Sequence, residues 1–309
     1  MTVPADSLTP TTAAPEDSGS APIDETAMVT RGGLVLRRFV RKKGALLGLA
    51  VLIILIFMAF VGPYFTHWKY TDLDFESFLK GPSANHWFGT DQTGKDLYAA
   101  TMRGAQKSIL IGLLVALLAT GIAAIVGAAA GYYGGWVDRI LMWVVDLLLV
   151  VPAFLIIAIV SSHFAGNWPL FVVLLGMFLW QITARIVRGQ TLTLKHREYV
   201  LAAKYMGVPS RKIIFSHIVP NLSSLLIIDA TINVSTAILT EAGLSFFGFG
   251  VQPPDVSLGT LLSDGQNDAS TYPWLFLFPS GFLVLLVLAV NLVGDGLRDA
   301  LDPSSGKAQ

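Results

Sequence analysis

Cysteine is absent from the 309 residues. That excludes a disulfide framework, a thiolate metal site and a cysteine nucleophile. Charge is scarce as well: Asp, Glu, Lys and Arg make up 14% of the chain, against roughly 25% in a soluble domain. The charge that is present balances, 21 basic against 21 acidic residues, which argues against the basic footprint of a nucleic-acid binder. Apolar residues take its place, 53% of the chain, with a mean hydropathy of +0.63. A 33.2 kDa chain has too little interior to hide that much apolar surface from water. The sequence therefore reads as an all-α, polytopic membrane protein, because helices satisfy their own backbone in lipid.

Residues 1–30 stand apart. They carry Pro4, Pro10, Pro15 and Pro22, five acidic residues and no Lys or Arg, so a disordered tail is expected. A secretory leader begins basic and turns apolar, which this stretch does not, so none is expected. Arg31, Arg37, Arg38, Arg41, Lys42 and Lys43 follow, and then no charged residue occurs from Gly44 to Trp68. A bilayer-crossing helix needs about 20 apolar residues. Further uncharged runs predict six spans, at about 45–65, 107–131, 138–160, 169–188, 220–243 and 274–296. Residues 31–303 then form one six-span domain, and 304–309 a short tail. Short loops rich in Lys and Arg stay in the cytoplasm. The basic cluster before the first span and Arg188, Lys195, Arg197, Lys204, Arg211 and Lys212 before the fifth fall on one side. The loop near 246–273, with Asp255, Asp264 and Asp268 and no Lys or Arg, falls on the other. Both termini are expected in the cytoplasm.

The stretch before the fifth span is the most informative. It runs from Arg197 through Glu198, Ala202, Ala203, Lys204, Gly207, Pro209, Ser210 and Arg211 to His217-Ile218-Val219-Pro220-Asn221. Glu198 suits a first helical turn, where the dipole favours an anion. Gly207 suits the left-handed residue that closes a helix. Pro209 blocks continuation, Ser210 is placed to cap a second helix, and Pro220 ends that helix or starts the span. Two short helices at an elbow on the membrane surface are predicted. On these residues alone, the loop is either a docking element or an anchor that only fixes orientation.

Ala202-Ala203, Gly207 and the distant Pro220 resemble the EAA loop of ABC importer permeases, and His217 to Asn221 resembles the peptide and nickel branch of that family. Leu201 departs from the pattern, standing where the family usually has Glu. Four further stretches are similar to the branch: Trp87 to Asp96, Gly131 to Asp138, Glu241 to Gly250 and Asn291 to Asp299. The likeness covers most of residues 32–303 and fits the C-type permease of di- or oligopeptide importers. It implies a permease with no ATPase site of its own, a homologous second permease, two ATP-binding subunits, an extracytoplasmic solute-binding protein and a prokaryotic cell membrane. It also implies that Glu198, Ala202, Ala203, Lys204, Gly207, Pro209 and Arg211 form the helix that couples the permease to the ATPase. Peptide is the expected solute, with nickel or another small solute as the alternative.

Several features look chemical and are read otherwise. Gly89 to Asp96 nearly fits a phosphate-binding loop, but Asp96 stands where a Mg²⁺-binding hydroxyl is required and no strand precedes it. Asp146, Asp229 and Glu241 lie within spans, where ionisable groups are costly. An intramembrane aspartyl protease would need a GxGD pattern, and Leu292 stands at its first Gly. Asp229 and Asn233 are four apart on one face of the fifth span; they face either the translocation path or the bundle interior. Gly127, Gly131 and Gly135 form small-xxx-small pairs suited to close helix packing. His163 has no companion ligands, so no metal site and no cofactor are expected. An ion-driven secondary transporter remains the rival, though internal repeats of the kind it usually carries are not evident.

Overall fold

The computed structural model describes residues 31–161 and 167–301. Residues 1–30, where a disordered tail is expected, the short C-terminal tail and His163 lie outside the described residues. Among those described, the fold is all-α and no strand forms. An amphipathic α1 (Arg31–Val40) turns at Lys42 into the apolar α2 (Lys43–Val61). A loop then leads to α3 (Leu97–Tyr133), followed by α4 (Gly135–Val150), α5 (Ala153–Ser161), α6 (Trp168–Met177) and α7 (Gln181–Leu194). The short helices α8 (Glu198–Tyr205) and α9 (Ser210–Ile213) precede α10 (Ser223–Phe246). The last two helices are α11 (Leu258–Gly265) and α12 (Trp274–Leu301).

Among the described residues, four helical stretches are long and apolar enough to cross a membrane: Lys43–Phe65, Leu97–Tyr133, Ser210–Phe246 and Trp274–Leu301. The count becomes six if each of two bent pairs is one span. The expected straight helices near 138–160 and 169–188 are therefore broken. Between α4 and α5 the bend is 79°. Pro152 causes it: the residue before a proline is pushed out of the helical region, and Val151 sits at φ −73°, ψ 126°. Between α6 and α7 the bend is 47°, and no proline or glycine lies there. Side chains stabilise this break, since Trp180 Nε1 and Gln181 Nε2 both donate to the Met177 carbonyl, at 3.0 and 3.2 Å.

At 37 residues, α3 extends about 55 Å and packs against α2, α4, α6, α7, α10 and α11. Small residues permit this. A Cβ on Gly127 would lie 2.5 Å from the Ala184 carbonyl oxygen, and one on Gly131 would lie 2.8 Å from that of Arg188. Gly127 and Gly131 thus serve the α3–α7 contact, as expected, whereas Gly135 does not: it lies beyond the end of α3, and nothing is within 4 Å of an added Cβ there. Ion pairs reinforce the neighbouring α4–α7 contact, with Arg188 donating to Asp138 at 2.6 Å and Arg185 to Asp146. Lys42 joins Asp299 at 2.8 Å, fixing the α1–α2 turn to the end of α12.

One end of the bundle is closed by the loop before α3. Asp96 caps α3 by accepting from the Ala99 amide at 2.7 Å, and its other oxygen lies 2.8 Å from His86 Nδ1. Asp74 lies 3.3 Å from His86 Nε2, and Trp68 stacks on the imidazole. Gly89 to Asp96 is a tight turn around Asp91, whose Oδ1 accepts from the amides of Thr93 and Lys95. Its amides near Asp91 are thus engaged by a carboxylate. Asp255 lies 2.8 Å from Lys107 and 3.3 Å from Arg103. Burial pushes its carboxyl up, but the Lys107 and Arg103 interactions together outweigh that and hold it below the ordinary carboxylate value.

Candidate functional site

The loop between α7 and α10 forms at the opposite end of α3. Glu198 occupies the first turn of α8, as the dipole favours. The helix ends in a Schellman motif: the Val208 amide donates to the Ala203 carbonyl and the Gly207 amide to that of Lys204, both at 3.1 Å. Gly207 sits at φ +79°, a left-handed conformation that costs a branched residue dearly. Pro209 is extended at φ −62°, ψ 141° and makes the elbow.

Two local expectations need correction. Ser210 does not cap α9; Pro209 occupies the cap position without a side-chain hydrogen bond, and Ser210 is the first helical residue. Nor does Pro220 separate a short helix from the span. A π-helical turn at Ile214–Ile218 and a 3₁₀ turn at Val219–Leu222 carry the chain through to α10. Wider and narrower turns accommodate the missing proline N–H without ending the helix.

The candidate coupling residues divide by orientation. Ala203 is 3% exposed and packs with Val200, Ile213, Ile214 and Ile218 of its own chain. It shapes the elbow and does not present a surface. Glu198, Ala202, Lys204, Gly207, Pro209 and Arg211 are exposed. Beside them stand two residues that sequence reasoning did not single out, Tyr205 at 84% and Met206 at 76% exposure. Together they leave two large apolar side chains exposed at the end of the helix. The signal for them was present, since both sit at the C-terminal end of a short helix before a left-handed glycine. Lys195 Nζ donates to the Gly131 carbonyl at 2.9 Å, which joins the loop to the end of α3.

Asp229 and Asn233 do share a face of α10, with Asn233 Nδ2 donating to Asp229 at 2.9 Å. Thr183 of α7 and Thr120 of α3 also donate to Asp229, at 2.6 and 3.2 Å. The carboxyl thus accepts from three neutral groups on three helices. Glu241 is fully buried and accepts from Ser108 and Ser245, both at 2.7 Å. Ser108 in turn accepts from the Leu258 amide at 3.3 Å, so this knot joins α3, α10 and α11. Hydrogen-bonded carboxyls of this kind fix helix register, because breaking the set leaves a buried polar group unsatisfied. Among the described residues, no group of three or more acidic, His or Cys side chains could hold a metal ion.

Comparison with known proteins agrees with this architecture. The family described as the binding-protein-dependent transport system inner membrane component matches residues 108–307. The N-terminal transmembrane domain of oligopeptide transport permease C matches residues 30–82. The oligopeptide transport system permease protein OppC of Mycobacterium tuberculosis is 55% identical over 282 residues, covering 91% of this chain and 97% of that protein. The protein of the same name in Bacillus subtilis is 41% identical over 272 residues, covering 87% and 88%. A putative peptide permease protein of Brucella suis is 39% identical over 269 residues, covering 86% and 89%.

Proposed function

The chain belongs to the binding-protein-dependent transport system inner membrane component family, and from that premise we propose that it is the peptide-conducting permease of an ATP-driven importer. It pairs with a homologous second permease, receives solute from an extracytoplasmic binding protein and is driven by two ATP-binding subunits that hydrolyse the ATP. The names of the relatives support peptide as the solute. The observation that carries the coupling role is the capped elbow at 198–212, with Tyr205 and Met206 exposed beyond a buried Ala203. Movement of an ATP-binding subunit against that surface would pass directly into α10, because α9 runs into it without a break. A contact that differs between two states of the bundle is what shifts their populations.

Asp229 and Asn233 act in this reading as the clamp between α3, α7 and α10, since their hydrogen bonds run to Thr120 and Thr183. A strain deleted for the gene should lose uptake of a labelled tripeptide and resist toxic peptide analogues, with the plasmid copy restoring uptake and sensitivity. Unchanged peptide uptake together with lost nickel uptake would move the chain to the metal branch.

Charge asymmetry supports a topology with both termini in the cytoplasm. The cysteine-free background allows a clean test. An impermeant thiol reagent should label Asp264→Cys in intact cells and Lys212→Cys only after the membrane is opened. The reverse pattern overturns the topology.

A further inference from the structure

The helix before the first apolar span carries surfaces of different chemistry. Phe39 of α1 is buried and packs with Ala45 of α2 and Ala300 of α12. Leu36 and Val40, one turn apart, flank it on the helix, yet they are 63% and 50% exposed. Arg37 stands two positions before Phe39, about 200° round the helix and so on its far side. Lys42 is held by Asp299 at 2.8 Å. Arg37, Arg41 and Lys43 are exposed, and among the described residues no carboxylate pairs with any of the three.

The span that follows fixes the depth of these residues. From Gly44 onward α2 is apolar and uncharged, and its Leu47, Ile53, Ile54 and Phe57 are exposed. Lipid must cover such a helix, and the start of the span therefore marks the surface of the hydrocarbon layer. The packing of Phe39 on Ala45 keeps α1 beside that start. Leu36 and Val40 then reach the acyl boundary while Arg37, Arg41 and Lys43 stand among the headgroups. Exposed apolar residues beside exposed basic ones, at this depth, are the pattern of a helix lying in the interface. Basic residues here are attracted to headgroups of net negative charge, whereas a zwitterionic headgroup brings its own cation beside its phosphate.

We propose that α1 and the turn after it form a docking surface for anionic phospholipid, with Arg37, Arg41 and Lys43 on the headgroup phosphates and Leu36 and Val40 on the acyl chains. The surface holds the first span in register with α12, to which Lys42 and Phe39 already tie it. It is independent of the solute and of the coupling role, because it rests on none of the residues of the elbow.

The test uses the assembled transporter in phosphatidylcholine nanodiscs containing equal amounts of two photoreactive lipids, a phosphatidylglycerol and a phosphatidylcholine, each with its diazirine close to the glycerol backbone. Adducts on residues 31–47 are mapped by mass spectrometry. Phosphatidylglycerol adducts should exceed phosphatidylcholine adducts at least about tenfold, and added sodium chloride should lower the ratio by screening. The triple variant Arg37→Gln, Arg41→Gln, Lys43→Gln should bring the ratio to parity with the ATP-binding subunits still attached. If that variant does not assemble, the salt dependence of the unaltered protein decides. Equal labelling by the two lipids, a ratio indifferent to salt, or one that the triple variant leaves unaltered overturns the proposal. So does the lack of adducts from either lipid, which would mean that a protein surface covers α1.

Discussion

Gly127→Ile should leave the protein largely absent from the membrane, while Gly121→Ile should accumulate normally. At Gly127 an added Cβ would meet the Ala184 carbonyl oxygen at 2.5 Å and Val187 Cβ at 2.7 Å. Both are close to backbone, so no rotamer change clears them, and α3 must move away from α7. Overpacking of this kind costs about 1–3 kcal/mol and sometimes more. It falls here on the helix that touches most of the others. At Gly121 nothing lies within 4 Å of the added carbon, and replacing glycine in a helix otherwise favours it. Membrane-fraction abundance and the melting of a fluorescent fusion in detergent check the pair. Equal behaviour of the two variants would mean that α3 and α7 do not pack as described.

Gly207→Val has the opposite signature: normal abundance with lost transport. Space is not the issue, since nothing lies within 4 Å of the position. The backbone is, because φ is +79° and left-handed conformation costs an ordinary residue about 1–2 kcal/mol, more with a β-branch. The variant relieves that strain by releasing the two hydrogen bonds that close α8, and the elbow then loses its shape. Peptide uptake and the solute-stimulated part of ATP hydrolysis should both fall about tenfold or more, the factor that 1.4 kcal/mol represents. Gly207→Asn should stay near wild type, because asparagine tolerates the left-handed region. Normal transport by Gly207→Val at normal abundance would reduce the loop to a surface anchor.

Much of this fold could be read from the residues, and the failures have physical causes. Uncharged runs located the long apolar helices, because charge is costly in lipid wherever it falls. Glu198 and Gly207 were legible because capping chemistry is local. Pro152 announced the 79° bend, yet it lay inside an apolar run whose length alone fits a span. The break at 178–180 carries no local signal; it depends on Trp180 and Gln181 reaching back to Met177. The inward face of Ala203 was not readable either. Ala202 and Ala203 are identical in sequence terms, and only packing against Ile213 and Ile218 tells them apart. For the same reason the hydrogen bonds of Thr120 and Thr183 to Asp229 were not readable, since they come from two other helices.

The central claim is that the exposed surface of α8 meets an ATP-binding subunit. The direct measurement is photo-crosslinking from a benzophenone maleimide attached to Met206→Cys, in a chain with no other cysteine, with Asp264→Cys as the opposite-face control. The account predicts an adduct with the ATP-binding subunit from position 206 and none from 264. An adduct from 264, or none from 206 in a complex that still transports, would contradict it.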